Sequence, residues 1–165
     1  MITMAIDAST RSTGVAIFDG QKLIHTECIT ASSTNVCNRI RKIVKELMIL
    51  VDNYKIDEVA LEEVLPDDVK HNQTVFKALM YLQAAIALDM NDRGKEITFY
   101  VSSAWRKKCG IRTGRGVTRE MVKAASIKFA KDTYNIEAND DICDAIGIGY
   151  AHTHRITVID GFEFG

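Results

Sequence analysis

Asp141 and Asp144 lie three residues apart at the head of a stretch, residues 139–149, whose remainder is mostly small and apolar. On a helix that spacing puts both carboxylates on one face, a turn from each other. Two anions held side by side repel, and each raises the other's pKa unless a cation neutralises them. Oxygen ligands of this kind suit Mg²⁺ or Mn²⁺. A competing reading has Asp140 cap the helix while its neighbours favour the positive end of the helix dipole. Two further acidic positions interrupt apolar runs. Ile2-Thr3-Met4-Ala5-Ile6 reads as a central strand covered on both faces, and it ends on Asp7. Asp7 could equally start the following turn through its side chain. Residues 58–64 read as a second such strand, carrying Glu62 and Glu63. Successive strand side chains point to opposite faces, so only one of those two can face a given site.

The elements that position these acids follow from patterning. After the small polar turn 8–14, Val15 to Phe18 reads as a strand, Asp19-Gly20 as a hairpin turn and Lys22 to Thr30 as a third strand. Ser33 or Asn35 can cap a helix running to about Asn53. Val36, Ile40, Val44, Leu47 and Val51 form its apolar stripe, with Arg39, Arg41, Lys42 and Lys45 off it. The segment Leu65-Pro66-Asp67-Asp68 carries the one proline. A long helix is expected from about Val69 to Met90, with Val75, Leu79, Leu82 and Ile86 on one side. Ile97 to Val101 reads as a buried strand, and Ser102-Ser103 as the cap of a short turn containing Trp105, Lys107 and Lys108. Gly110 to Gly116, with Arg112 and Arg115, is a flexible basic loop. Thr118 opens a helix to about Tyr134, ahead of the acidic helix. The order β-β-β-α-β-α-β-α-α predicts a mixed sheet flanked by helices.

A length of 165 residues suits one domain with a core of its own. Hydrophobic content of 47% and charged content of 26% are those of a soluble globular protein. No apolar run has the length of a membrane span, and the N-terminus lacks a basic-then-apolar signal pattern. Cys28, Cys37, Cys109 and Cys143 have neither zinc-site nor disulfide-framework spacing, so a reducing compartment, the cytoplasm, is expected. The net charge of −1 conceals an asymmetry. Residues 105–131 hold nine basic side chains against Glu120 alone, leaving 12 basic and 21 acidic residues elsewhere. A basic patch on an acidic body points to a local polyanion site.

Ile6-Asp7-Ala8-Ser9 with Ser12-Thr13-Gly14 resembles the opening of RuvC-type Holliday junction resolvases, within the RNase H-like superfamily. Ala60-Leu61-Glu62-Glu63-Val64 is similar to their second acidic motif. Asp141-Ile142-Cys143-Asp144-Ala145 through Gly149, followed by Ala151-His152, is similar to their last helix. These segments keep the family's order and approximate spacing across nearly the whole chain. The resemblance implies a single RNase H-like α/β nuclease domain over residues 1–165, with a mixed five-stranded sheet of three antiparallel and then parallel strands. It implies a metal-dependent endonuclease that cuts four-way junctions and other branched DNA as a homodimer, without a nucleotide cofactor or a membrane. By the same resemblance, Asp7, Glu62, Asp141 and Asp144 are the catalytic, metal-binding carboxylates. Lys107 or Lys108, with Arg119, match basic residues near the scissile phosphate, and Gly114-Arg115-Gly116 matches a glycine-bearing loop. Lys107, Lys108, Arg112, Arg115 and Arg119 are thus the expected DNA contacts. The chemistry agrees: two divalent ions about 4 Å apart activate water, neutralise phosphate and stabilise the leaving oxygen. Asp7 is the expected bridging ligand, and Mg²⁺ or Mn²⁺ the expected pair of ions in each site.

Where the family often has an aromatic wedge, this chain has Leu65 and Pro66, which predicts looser junction selectivity. His152, two turns beyond Asp144, is expected on the surface or in a secondary role; sequence leaves open whether it, Glu63 or Asp140 assists. Trp105 is expected in the core, and Gly147 and Gly149 mark close packing against the sheet. Two rivals are an actin-like ATPase or kinase fragment, whose phosphate turn the opening motif also resembles, and a non-catalytic nucleic-acid-binding relative.

Overall fold

A computed structural model describes residues 1–66 and 72–155. Three strands, β1 (Ile2–Asp7), β2 (Ser12–Asp19) and β3 (Lys22–Thr30), form an antiparallel meander. Helix α1 (Val36–Tyr54) leads to β4 (Glu58–Glu62), which lies parallel to β1. Helix α2 (Gln73–Asp92) leads to β5 (Glu96–Tyr100), parallel to β4. The sheet order is β3-β2-β1-β4-β5, so β1 is central. Three helices follow: α3 (Ser102–Lys108), α4 (Arg119–Tyr134) and α5 (Asp140–Thr153). The sheet is the mixed five-stranded one expected from sequence.

Side-chain size divides its two faces. Met4, Ile6, Val15, Ile17, Val59 and Leu61 pack against α1 and α2 through Ile43, Leu47, Leu82 and Ile86. The opposite face carries Ala5, Ala16 and Ala60, which are cross-strand partners in one row. Three alanines side by side leave a shallow bed, and α5 lies on it with Ala145, Ile146 and Ile148 buried. Gly149 continues the close fit, since a Cβ there would overlap the Phe18 ring of β2.

Several local expectations change. Strand β2 begins at Ser12, so Ser12, Thr13 and Gly14 pair with β3 and the turn is shorter. Asn35 caps α1, accepting hydrogen bonds from the Cys37 and Asn38 amides, and Ser33 does not. Arg39, off the apolar stripe, is nonetheless buried; it donates to the Thr10, Ser33 and Thr34 carbonyls. Helix α2 is described from Gln73; the expected start at Val69 and the acids Asp67 and Asp68 lie outside the described residues. Val75 is exposed rather than on the buried stripe. Strand β5 is the sheet edge among the described residues and is half exposed, with Phe99 open to solvent. The turn around Trp105 is a helix whose N-cap is Val101, without a side-chain cap from Ser102 or Ser103. No described helix is long and apolar enough to cross a membrane.

Candidate active site

Strand alternation decides which acids meet. Asp7 follows Ala5 by two residues and Glu62 follows Ala60 by two, so both side chains share the alanine face under α5. Asp7 is paired across the sheet with Gly14, and Gly14 with Cys28. The N-terminus of α5 comes down on this row. A Cβ on Gly14 would overlap the Asp141 carbonyl, so only glycine lets the helix approach so closely. Asn139 caps α5, accepting from the Ile142 amide at 3.0 Å. The Ser12 hydroxyl donates to Asp141 Oδ2 and also lies 3.2 Å from Cys28 Sγ.

Charge repulsion is felt most at the centre. Asp7 is held well above the ordinary aspartate range, first by burial, then by the charges of Glu62, Asp144 and Asp141, with Arg106 opposing them. Asp144 is also raised by burial, against the Ser126 hydroxyl and Arg106. Its Oδ2 lies 3.4 Å from Arg106 Nη2, and its buried Oδ1 has no well-aligned hydrogen bond. Glu62 Oε2 accepts from the Trp105 indole N–H at 2.6 Å. Each carboxylate around Asp7 therefore has its own donor: Ser12 for Asp141, Trp105 for Glu62 and Arg106 for Asp144. Among the described residues no three His, Cys, Asp or Glu side chains stand as a ready-made metal cage. The donor set nonetheless fits hard divalent cations: four carboxylates, mutually repelling, with oxygen ligands only.

A cleft of about 1040 Å³ opens from Asp7 and Glu62 between the β1–β2 turn and α2. Arg11, Lys77, Tyr81 and Arg119 line it. Of the nine basic residues in 105–131, Arg106, Lys123, Lys128 and Lys131 are engaged in ion pairs. Lys107, Lys108, Arg112, Arg115 and Arg119 are exposed and make no ion pair among the described residues. Arg119 reaches the cleft, and the other four lie outside its lining.

The residues left open by sequence now separate. Glu63 lines a different groove, with Met80 and Phe99. Asp140 does not cap the helix; its partner is Lys123. His152 is not a surface residue. It is buried, with Nε2 at 2.9 Å from Glu58 Oε1 and Nδ1 at 3.1 Å from the Tyr100 hydroxyl. Glu58 is held below the ordinary glutamate range although burial works against it, through Thr3, His152 and Arg155. Trp105 is fully buried, as expected for a core residue. Gly147 packs against Trp105 rather than the sheet. Sequence does not single out Arg106 beside Lys107 and Lys108; its one signal is position, directly after a buried tryptophan.

A family model described as crossover junction endodeoxyribonuclease RuvC matches residues 3–153. A protein of that name from Anaplasma marginale (strain St. Maries) is 30% identical over 149 residues, covering 90% of this chain and 84% of the relative. Its counterpart in Wolinella succinogenes is 26% identical over 161 residues, covering 94% and 96%. Among solved structures, RuvC of T. thermophilus in complex with a Holliday junction substrate superposes with a TM-score of 0.71 at 14% identity, covering 92% of each chain. A Fowlpox virus resolvase in complex with Holliday junction DNA gives 0.61 at 16%, covering 93% of this chain and 97% of the other.

Proposed function

The chain belongs to the RuvC family of crossover junction endodeoxyribonucleases, and from that membership we propose that it resolves Holliday junctions by metal-dependent phosphodiester hydrolysis at the Asp7 cluster. The observation that carries this reading is the gathering of Glu62, Asp141 and Asp144 around Asp7, close enough that their charges, with burial, raise its pKa. Asp7 on the central strand, with Glu62, Asp141 and Asp144 around it, would hold the divalent metal. When bound, two ions of Mg²⁺ or Mn²⁺ would supply charge neutralisation at the phosphate, an activated water and a stabilised leaving oxygen. Ser12, Trp105 and Arg106 donate hydrogen bonds to the surrounding carboxylates. Arg11, Lys77 and Arg119 take the DNA backbone into the cleft.

The test is nicking of labelled DNA. Four-way junctions are cut in Mg²⁺, three-way junctions more slowly, and linear duplex hardly at all. Cleavage that persists in excess chelator, or that treats linear duplex and junctions alike, removes the proposal.

The exposed cations extend the binding surface by phosphate contact, which is independent of base sequence and sensitive to salt. Replacing Lys107 and Lys108 by alanine together is expected to weaken junction binding and to flatten the slope of log K against log salt by about 1.8, for two lost contacts. Fluorescence anisotropy across a salt series measures that slope, and an unchanged one removes these lysines from the interface.

A four-way junction asks for two opposed nicks, and each chain has one Asp7 cluster. We assign the second to another copy, docked through the apolar side of α2 and β5, where Met80, Leu88 and Phe99 are exposed beside a groove lined by Ala84 and Ala87. In sedimentation velocity the protein is expected at twice the 18.4 kDa chain mass, and Leu88→Arg at the single mass. A wild-type chain that sediments as a monomer under cleavage conditions would contradict this surface.

A further inference from the structure

Trp105 is the chain's single tryptophan and is fully buried in α3. A buried indole N–H needs an acceptor, and packing alone would be served by any large apolar side chain. Here the acceptor is Glu62 Oε2, at 2.6 Å, in the carboxylate cluster itself. A hydrogen bond to an ionised carboxylate is roughly twice as strong as a neutral one.

The ring is gripped from two sides. Beneath it lies Gly147, one helical turn beyond Asp144, where a Cβ would stand 2.5 Å from Cζ3 and 2.9 Å from Cε3 of the indole. The Arg106 guanidinium sits 4.7 Å from the ring centroid and reaches Asp144. Two adjacent residues of one short helix thus touch two acids that come from different elements, Glu62 on β4 and Asp144 on α5.

We propose that Trp105 is a positioning residue for phosphodiester cleavage: its indole N–H fixes the Glu62 carboxylate in the rotamer that receives the divalent ion, and α3 ties Glu62 to Asp144 through Arg106. This rests on the metal-dependent nuclease reading above. Partners of metal ligands typically contribute 10–100-fold to metal affinity or activity. Phenylalanine keeps an aromatic ring in the pocket and removes the donor, so Trp105→Phe separates the hydrogen bond from most of the packing.

Two measurements on the full chain test the role. Mn²⁺ binding, read from the electron paramagnetic resonance signal of the free ion, is expected to weaken about 10-fold in Trp105→Phe. Cleavage should fall by a similar factor at low metal and recover most of its rate at saturating metal, a change in metal requirement rather than in kcat. Independently, Mg²⁺ titration of the wild-type chain should change the emission of the lone tryptophan saturably, at the concentrations that support cleavage. Glu62→Gln should abolish that change. This second measurement decides the matter if Trp105→Phe fails to fold. Mn²⁺ binding and cleavage by the wild type, with silent tryptophan emission and unaltered affinity in Trp105→Phe, overturn the role of Trp105 alone. Absence of Mn²⁺ binding by the wild type overturns the nuclease reading and this inference with it.

Discussion

Asp7→Asn is expected to lower four-way junction cleavage by about 10³-fold or more, equivalent to about 4 kcal/mol of transition-state stabilisation, while junction binding stays intact. Asparagine keeps the volume and the hydrogen-bonding oxygen but cannot neutralise an ion. The same substitution is expected to stabilise the metal-free protein. Burial and three neighbouring carboxylates raise the Asp7 pKa well above its ordinary value. A carboxyl whose native pKa exceeds its unfolded one binds its proton more tightly in the native state. The stability it contributes is therefore present below the ordinary aspartate range and is lost as pH rises through the elevated native value. Above that native value the metal-free wild type bears the full penalty, and the Asp7→Asn variant does not. Each tenfold change in acidity is worth about 1.4 kcal/mol, which for a chain this long shifts Tm by about 3–6 °C. Calorimetry in chelator, with and without the substitution, measures the gain; a gel assay measures the loss. Undiminished cleavage by the variant would falsify the assignment of Asp7.

Gly14→Ala carries the second large effect. Gly14 needs no left-handed backbone; what it provides is space, since a Cβ would occupy the position of the Asp141 carbonyl. Both clashing partners are tied to main chain, so no side-chain rotation relieves the overlap. The N-terminus of α5 must lift from the sheet, taking Asp141 and Asp144 away from Asp7. Forced overpacking of this kind costs about 3 kcal/mol, or about 6–12 °C in Tm at this size. A displacement of about 1 Å at the reacting groups costs about 10²-fold in rate. Thermal melting and single-turnover cleavage at saturating metal check the two parts. A variant that melts and cuts like the wild type would show that α5 does not rest on this glycine.

Much of the architecture is readable in the sequence because local patterning and tertiary demand agree. The Asp19-Gly20 turn, the apolar runs of β1 and β2, and the Asp141/Asp144 spacing each specify one geometry. The choice between Glu62 and Glu63 is also present, though it needs one more step: Ala60 is small while Val59 and Leu61 are large, and the small-residue face is the one that receives a helix. Of the two places expected for His152, the surface one fails because distance along α5 to Asp144 is the wrong measure; its partners Glu58 and Tyr100 come from strands far away in the chain. Strand β5 reads as buried from its apolar content, yet its place at the sheet edge depends on strand order, which composition does not encode. The donors Ser12, Trp105 and Arg106 escape a sequence reading for a related reason. Each acts on an acid at least 38 residues away in sequence, so no spacing rule brings them together.

The alanine row under α5 has one more implication. A bed of Ala5, Ala16 and Ala60 brings the helix near the strands but adds few protrusions of its own, so contacts beside the bed fix the helix along its axis. One contact is the Gly14–Ser12 seat under Asp141, others are the Trp105 ring against Gly147 and the Phe18 ring against Gly149, and the last is the Glu58–His152 pair, joined by Arg155, about 12 Å further along the axis from Asp144. A buried histidine remote from the reacting atoms thereby anchors the far end of the helix that carries both aspartates.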